Sequence, residues 1–139
     1  MIEHIRPALV KTVPASPEAG VLYVSVEYAT MLHLCACGCG HEVVLGISPR
    51  DWAVLWDGET VTLDPSVGNW SFPCQSHYLI RRNRIVGVRR WSDEEIAEGR
   101  ARDAARHSRS PAIPGTEPEF VEAPAERILH RLFGRLLRR

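Results

Sequence analysis

Three cysteines at alternate positions constrain this chain more than any other feature: Cys35, Cys37 and Cys39 in "HLCACGCGHEV". A fourth, Cys74, lies in "NWSFPCQSHYLI". Under reducing conditions clustered cysteines are metal ligands rather than disulfide partners. Cysteines two apart on an extended strand are also difficult to bridge without distortion. A cation held by thiolate and imidazole groups usually takes four ligands at the corners of a tetrahedron. Such ligands commonly arrive as two local pairs on two separate turns. "CACGCG" offers the first pair, and its glycines let the backbone fold closely around a cation. "CQSH" offers the second, Cys74 and His77. The favoured set is therefore two of Cys35, Cys37 and Cys39 together with Cys74 and His77, with zinc as the metal. Three ligands from five consecutive residues are harder to place on one tetrahedron. Four cysteines nevertheless allow an all-thiolate site, in which His77 would be free. A two-iron cluster ranks below zinc, because the Rieske pattern wants histidine in the first pair where this chain has cysteine. The bland alternative is a buried group of free thiols, since cysteine also packs as a small apolar residue.

Composition narrows the setting. The 139 residues suit one domain, and 45% apolar content is enough for a core. The 17 basic and 17 acidic side chains cancel, so no whole-surface attraction to nucleic acid or membrane is expected. No apolar run reaches about 18 residues, the length of a transmembrane helix. The start, "MIEHIRPALVKTVP", is too broken by charge and proline for a secretory signal. A cytoplasmic location is the expectation.

Strand signals dominate the first two thirds. Residues 1–19 read as an irregular arm with prolines. "VLYVSVEY" (21–28), "TMLHLC" (30–35) and "EVVLGI" (42–47) read as strands. In the first of these, Leu22, Val24, Val26 and Tyr28 would share a face. "WAVLW", Asp57-Gly58 and "ETVTL" read as a hairpin with a tight turn. "HYLI" and "RIVGVRRW" flank a turn around Asn83. Residues 20–91 are thus expected to form a small, mainly antiparallel, zinc-stabilised β domain. A C-terminal helical extension follows over 92–139. It begins with a helix capped by Ser92, whose first turn is acidic. A proline-rich linker (107–124) leads to an amphipathic helix with Ile128, Leu129, Leu132, Phe133, Leu136 and Leu137 on one stripe. That last helix would dock on protein or, with its arginines, lie on an anionic membrane surface.

Three motifs carry a resemblance. "HLCACGCGHEVV", "VTLDPSVGNWSFPCQSHYLI" and "RRNRIVGV" resemble a family of small bacterial metal-binding domains. Its marks are a Cys-x-Cys-Gly-Cys-Gly turn, a Pro-Ser-x-Gly-Asn-Trp segment and a Phe-Pro-Cys-x-Ser-His-Tyr turn. The family is associated with bacterial operons encoding ubiquitin-like proteins and their activating and conjugating enzymes. The resemblance covers roughly residues 20–91. It implies a metal-binding β domain, and as partners a ubiquitin-like protein or the enzymes that activate and conjugate it.

Such operons need a hydrolase that trims or removes the ubiquitin-like protein. A serine nucleophile needs a base within hydrogen-bond reach and donors for the oxyanion. Ser66, Ser76 and His77 are the catalytic candidates on motif segments. Ser66 with His77 is the easier pair, because neighbouring side chains such as Ser76 and His77 diverge on a strand. His33 and His41 are further base candidates, and the "CGCGH" amides could form an oxyanion hole. A hydrolytic zinc ranks lower, since thiolate-rich sites are usually closed and only Glu42 lies near as a carboxylate. Against these stand plainer readings: Ser66 and Ser76 as turn serines, Asn69 as a turn residue, and Trp52, Trp56, Trp70 and Trp91 as core or half-buried strand residues. Two functions follow. One is a serine-type peptidase with a structural zinc that acts on a ubiquitin-like protein. The other is a non-catalytic zinc adaptor in the same pathway, favoured by the lack of an evident acidic third member and by the appended amphipathic helix.

Overall fold

The computed structural model describes residues 1–109; all but the first three residues of the proline-rich linker, and the amphipathic helix expected near the C-terminus, lie outside the described residues. Nine strands and one helix are present among the described residues. β1 (Arg6–Leu9), β2 (Val21–Ser25), β3 (Thr30–Leu34) and β4 (Glu42–Gly46) form a four-stranded sheet in that order. β5 (Ala53–Trp56) and β6 (Val61–Asp64) form a hairpin. β7 (Val67–Gly68), β8 (His77–Arg81) and β9 (Arg84–Gly87) form a third sheet, and α1 (Asp93–Ser108) follows. The expected mainly antiparallel β architecture is what the chain adopts, with one parallel pair, β1 on β2.

That parallel pair corrects the reading of the N-terminal residues as an irregular arm. Ile5 is buried to 1% exposure in the main core. Its amide bonds to Asn83 O, and Ile85 N bonds to Glu3 O. Pattern alone could not show this, because "RPAL" is too short to display alternation. The arm also explains why β2 is buried on both faces. Leu22 and Val24 join the main core, while Val21 and Tyr23 pack with Leu32 under Ala8, Val10 and Val13. β2 stops at Ser25, so Val26 and Tyr28 are exposed instead of continuing the face expected of them.

The two hairpins differ in their turns. Asp57-Gly58 makes a four-residue loop rather than a two-residue turn, with Trp56 opposite Val61. Only Gly58 of the pair has positive φ, and Asp57 instead accepts hydrogen bonds from Glu59 N, Thr60 N and Thr60 Oγ1. Those bonds hold the Asp57 carboxyl at about 2, below its ordinary value. Between β8 and β9, Arg82 and Asn83 both have positive φ and connect directly opposed strands, as a two-residue hairpin turn requires. Asn83 also ties this turn to the neighbouring hairpin: Oδ1 accepts from Val61 N at 2.8 Å and Nδ2 donates to Glu59 O at 3.1 Å.

Tyr78, Ile80, Val61, Leu63 and Val67 bury with Leu22, Met31, Val43 and Leu45 in one core shared by the sheets. Ser92 caps α1 in a reciprocal box with Glu95, and Arg89 grips Glu95 at 2.6 and 2.9 Å. Hydrogen bonds from Arg89 and from Ser92 N hold the Glu95 carboxyl at about 2.

Asn83→Ala leaves Val61 N, on a fully buried residue, without its partner and puts a β-carbon residue with no local hydrogen bond at positive φ. We expect a loss of about 2–3 kcal/mol in urea unfolding. Asn83→Gly, which keeps the turn and loses only the side-chain bonds, should lose less.

Candidate functional site

Two turns build the thiol cluster. Between β3 and β4, Cys35 N bonds to His41 O and Gly38 N to Cys35 O. Gly38 and Gly40 take φ of 90° and 82°. A β-carbon at either would meet nothing within 4 Å, so backbone conformation, not space, calls for glycine there. The left-handed steps curl the chain so that three sulfurs separated by single residues face one point. From the other side, Phe72 N bonds to Asn69 O and Gln75 N to Phe72 O, which presents Cys74.

The four sulfur atoms of Cys35, Cys37, Cys39 and Cys74 lie within 4.8 Å of one another. Cys35 to Cys37 is 3.4 Å, Cys35 to Cys74 is 3.9 Å and Cys39 to Cys74 is 3.8 Å. A thiolate tetrahedron around a cation with bonds of about 2.3 Å has sulfur–sulfur edges of about 3.8 Å, and a disulfide would need about 2 Å. The donor set fits a metal ion. The surroundings fit as well, because thiolates need hydrogen-bond donors. Asn69 Nδ2 reaches Cys35 Sγ at 3.5 Å, Cys39 N reaches Cys37 Sγ at 3.4 Å, and Ser76 Oγ lies 3.1 Å from Cys35 Sγ. Burial and bonds to the other thiols push the Cys37 thiol up to about 12. At Cys74 burial pushes upward too, but the side-chain and backbone bonds of Ser76 outweigh it and bring the thiol to about 7.

His77 stands apart from this group. Its Nε2 is 2.9 Å from Ser66 Oγ and its Nδ1 is 2.8 Å from Arg89 O. A carbonyl oxygen only accepts, so Nδ1 carries the proton of the neutral ring. Nε2 is then the free acceptor, and Ser66 donates to it. Ser76 faces the opposite way: besides the Cys35 contact, its Oγ accepts from Asn69 Nδ2 at 2.9 Å. Adjacent residues of one extended segment thus serve two different sites.

The remaining histidines do not reach Ser66. His33 is fully buried, with Nε2 2.8 Å from the Tyr78 hydroxyl, and burial lowers it to about 4. His41 Nδ1 is 3.2 Å from Cys39 Sγ and its ring stacks on Phe72. Glu42 begins β4 on its exposed side. Cys35, Gly38 and Cys39 amides are committed within their own turn.

A cleft of about 200 Å³ opens onto Ser66 and His77 between Trp52, Gly68, Trp70, Trp91 and α1. None of residues 35–41 lines it. Trp70 and Trp91 stack on each other at 5.5 Å and both approach the His77 ring, at 4.9 and 5.3 Å. Two glycines make room for them. A β-carbon on Gly68 would lie 2.6 Å from the Trp70 ring, and one on Gly99 of α1 would lie 2.9 Å from Trp91. The sequence reading missed three participants: the Arg89 carbonyl, Trp91 as a neighbour of His77, and the α1 wall. A main-chain carbonyl leaves no trace in side-chain identity, although the run from His77 to Trp91 through one hairpin does bring the two rings together.

Residues 9–88 match the family described as bacterial ubiquitination-like system serine protease (BubE). The chain belongs to this family. No curated protein and no solved structure matches it. The family description names a serine protease of a bacterial ubiquitination-like system, and the matched span of this BubE-family chain contains Ser66, His77 and all four cysteines. Arg89, Trp91 and α1 lie beyond it. Among the described residues no helix is long and apolar enough to cross a membrane.

Gly68→Ala forces the Trp70 ring off its place beside His77. Overpacking of this kind costs about 1–3 kcal/mol. Thermal melts should show that loss as a modest drop in melting temperature, and an unchanged melt would contradict the close Gly68–Trp70 approach.

Proposed function

We propose that this chain is a peptidase that processes or removes a bacterial ubiquitin-like protein, with Ser66 as nucleophile, His77 as base and a structural zinc on Cys35, Cys37, Cys39 and Cys74. The observation that carries the reading is the pair of bonds on His77. Nδ1–H donates to Arg89 O, which leaves Nε2 to accept from Ser66. This is the tautomer and orientation that a serine peptidase needs.

In the first step Ser66 Oγ bonds to the carbonyl carbon of the scissile peptide or isopeptide bond. The serine proton passes to His77 Nε2, and the carbonyl π pair moves onto oxygen. In the second step that pair returns, the carbon–nitrogen bond breaks, and the Nε2 proton leaves with the amine. Water repeats the sequence on the acyl-serine, with His77 again as base. Arg89 O holds the ring in register throughout. The indoles of Trp70 and Trp91 cover the ring and limit its contact with water.

Zinc is one of the metals whose structural sites take four thiolates in a closed tetrahedron, and when bound it would supply cross-linking without an open position for water. Ser76 serves this site, not the cleft. His77 is then not a ligand, and the all-thiolate alternative replaces the set of two thiolates with Cys74 and His77. The adaptor reading rested on the missing acidic third member and on the amphipathic C-terminal helix; Arg89 O supplies the orienting part of the third member's role.

Ser66→Ala should lower peptidase turnover by roughly 10³-fold or more with zinc content unchanged. His77→Ala should be equally inactive and still hold one zinc per chain by elemental analysis. A folded His77→Ala that had lost its zinc would return His77 to the ligands and remove the base from the scheme. Chelation of the metal should lower the melting temperature of both variants, since binding energy at such a site is folding energy.

A further inference from the structure

We propose that the substrate reaches Ser66 as an extended chain laid in the groove between the open edges of β4 and β7, hydrogen-bonded to the main chain of Val44 and held by an acidic side chain on Arg100. The inference deepens the Ser66–His77 reading above and rests on it for the bond that is cut. The groove has a volume of about 310 Å³. One wall is β4 at residues 43–45, and the other is β7 with the turn that follows it. The groove is continuous with the cleft at Ser66, because Trp52, Gly68, Trp70 and Arg100 line both.

Both walls are strand edges with unpaired main-chain groups. β4 ends the four-stranded sheet and β7 ends the three-stranded one. Along an antiparallel pair, residues that exchange hydrogen bonds alternate with residues that do not. Cys35 N bonds to His41 O, and Ile47 N bonds to Ala29 O. In the same register the bonded pairs between them are His33 with Val43 and Met31 with Leu45. The N–H and C=O of Val44 therefore point away from β3. Asn69 N bonds to Ser76 O, so by the same alternation Gly68 turns its N–H and C=O away from β8. An open edge strand is usually blunted by proline, lysine or a bulge. β4 has neither residue, its register with β3 is unbroken, and its central Val44 is exposed. A peptide that adds to such an edge gains main-chain bonds whatever its sequence, and its side chains alternate between the two walls.

Charge supplies the selectivity. Of the three arginines that α1 contributes to the cleft, Arg102 pairs with Glu98 and Arg106 with Asp103. Arg100 has no acidic partner among the described residues and donates to Ser71 Oγ at 3.4 Å. It is also the arginine that cleft and groove share. A guanidinium matches a carboxylate in charge and geometry. The substrate therefore carries Asp or Glu close to the scissile bond, flanked by residues that rest on Val44, Trp52 and Phe72.

The test separates binding from cutting. The zinc-loaded full chain with Ser66→Ala is probed against a positional-scanning library of octapeptides blocked at both ends. Bound peptides should carry Asp or Glu at one fixed position, and Arg100→Glu should reverse that preference to Lys or Arg. Val44→Pro removes an outward N–H, which an edge strand tolerates. It should weaken binding of the selected peptide roughly two- to ten-fold, the worth of one hydrogen bond, and Val44→Ala should weaken it less. An ester scan along the peptide removes one N–H at a time and reads the same pairing without altering the protein; one position should show a similar loss. No bound peptide, an acidic preference that survives Arg100→Glu, a flat ester scan, or binding confined to peptides with a free C-terminal carboxylate each overturns the proposal. Peptides that bind in this way and stay uncut by the wild-type chain would uphold the groove and sink the Ser66–His77 reading instead.

Discussion

Four sulfur atoms within 4.8 Å of one another hold the β3–β4 turn against the turn that precedes β8. The rest of the site depends on that closure. The second turn ends at Ser76, and the next residue is His77. Where Cys74 is held therefore fixes where β8 begins, and which of its alternating side chains faces which way. Asn69 spans the same junction: its amide group donates to Cys35 Sγ, Ser76 Oγ and the Tyr78 hydroxyl. A domain of this size has little core to spare, and a cation bound at such a junction would replace packing that the chain cannot supply.

One extended segment then serves two chemistries. Ser76 points toward the thiols and His77 away from them, toward Ser66 and the cleft. The strand period of two sends Ser76 to the thiol cluster and its neighbour His77 to Ser66, so adjacent residues serve separate places. Behind His77 the backbone carbonyl of Arg89 orients the ring, and the bidentate grip of Arg89 on Glu95 locks that carbonyl to the first turn of α1. The helix therefore belongs to the site as well as to the fold. It supplies Ile96, Gly99 and Arg100 to the cleft wall.

Much of this was legible in the sequence, for reasons that differ by element. The β architecture followed from β-branched runs and turn signals, and the Ser92 cap of α1 from an acidic first turn. The cysteine cluster followed from residue type and spacing. The strand formed by residues 6–9 was not visible, because its partner is distant and its alternation covers only four residues. The turn at Asp57-Gly58 was read one step too tight, since the Asp57 side chain builds a longer loop from its own hydrogen bonds. The sequence argument expected three sulfurs from five consecutive residues to be crowded, and two glycines with positive φ are what bring them together. The orienting partner of His77 was sought among acidic side chains, and it is a main-chain oxygen.

The most direct measurement is the mapping, by mass spectrometry of proteolytic fragments, of the adduct left by a fluorophosphonate on the zinc-loaded chain. The account predicts a single adduct on Ser66, absent from Ser76, and lost when the protein is denatured before exposure. An adduct on Ser76, or none on Ser66 in folded protein, would contradict it.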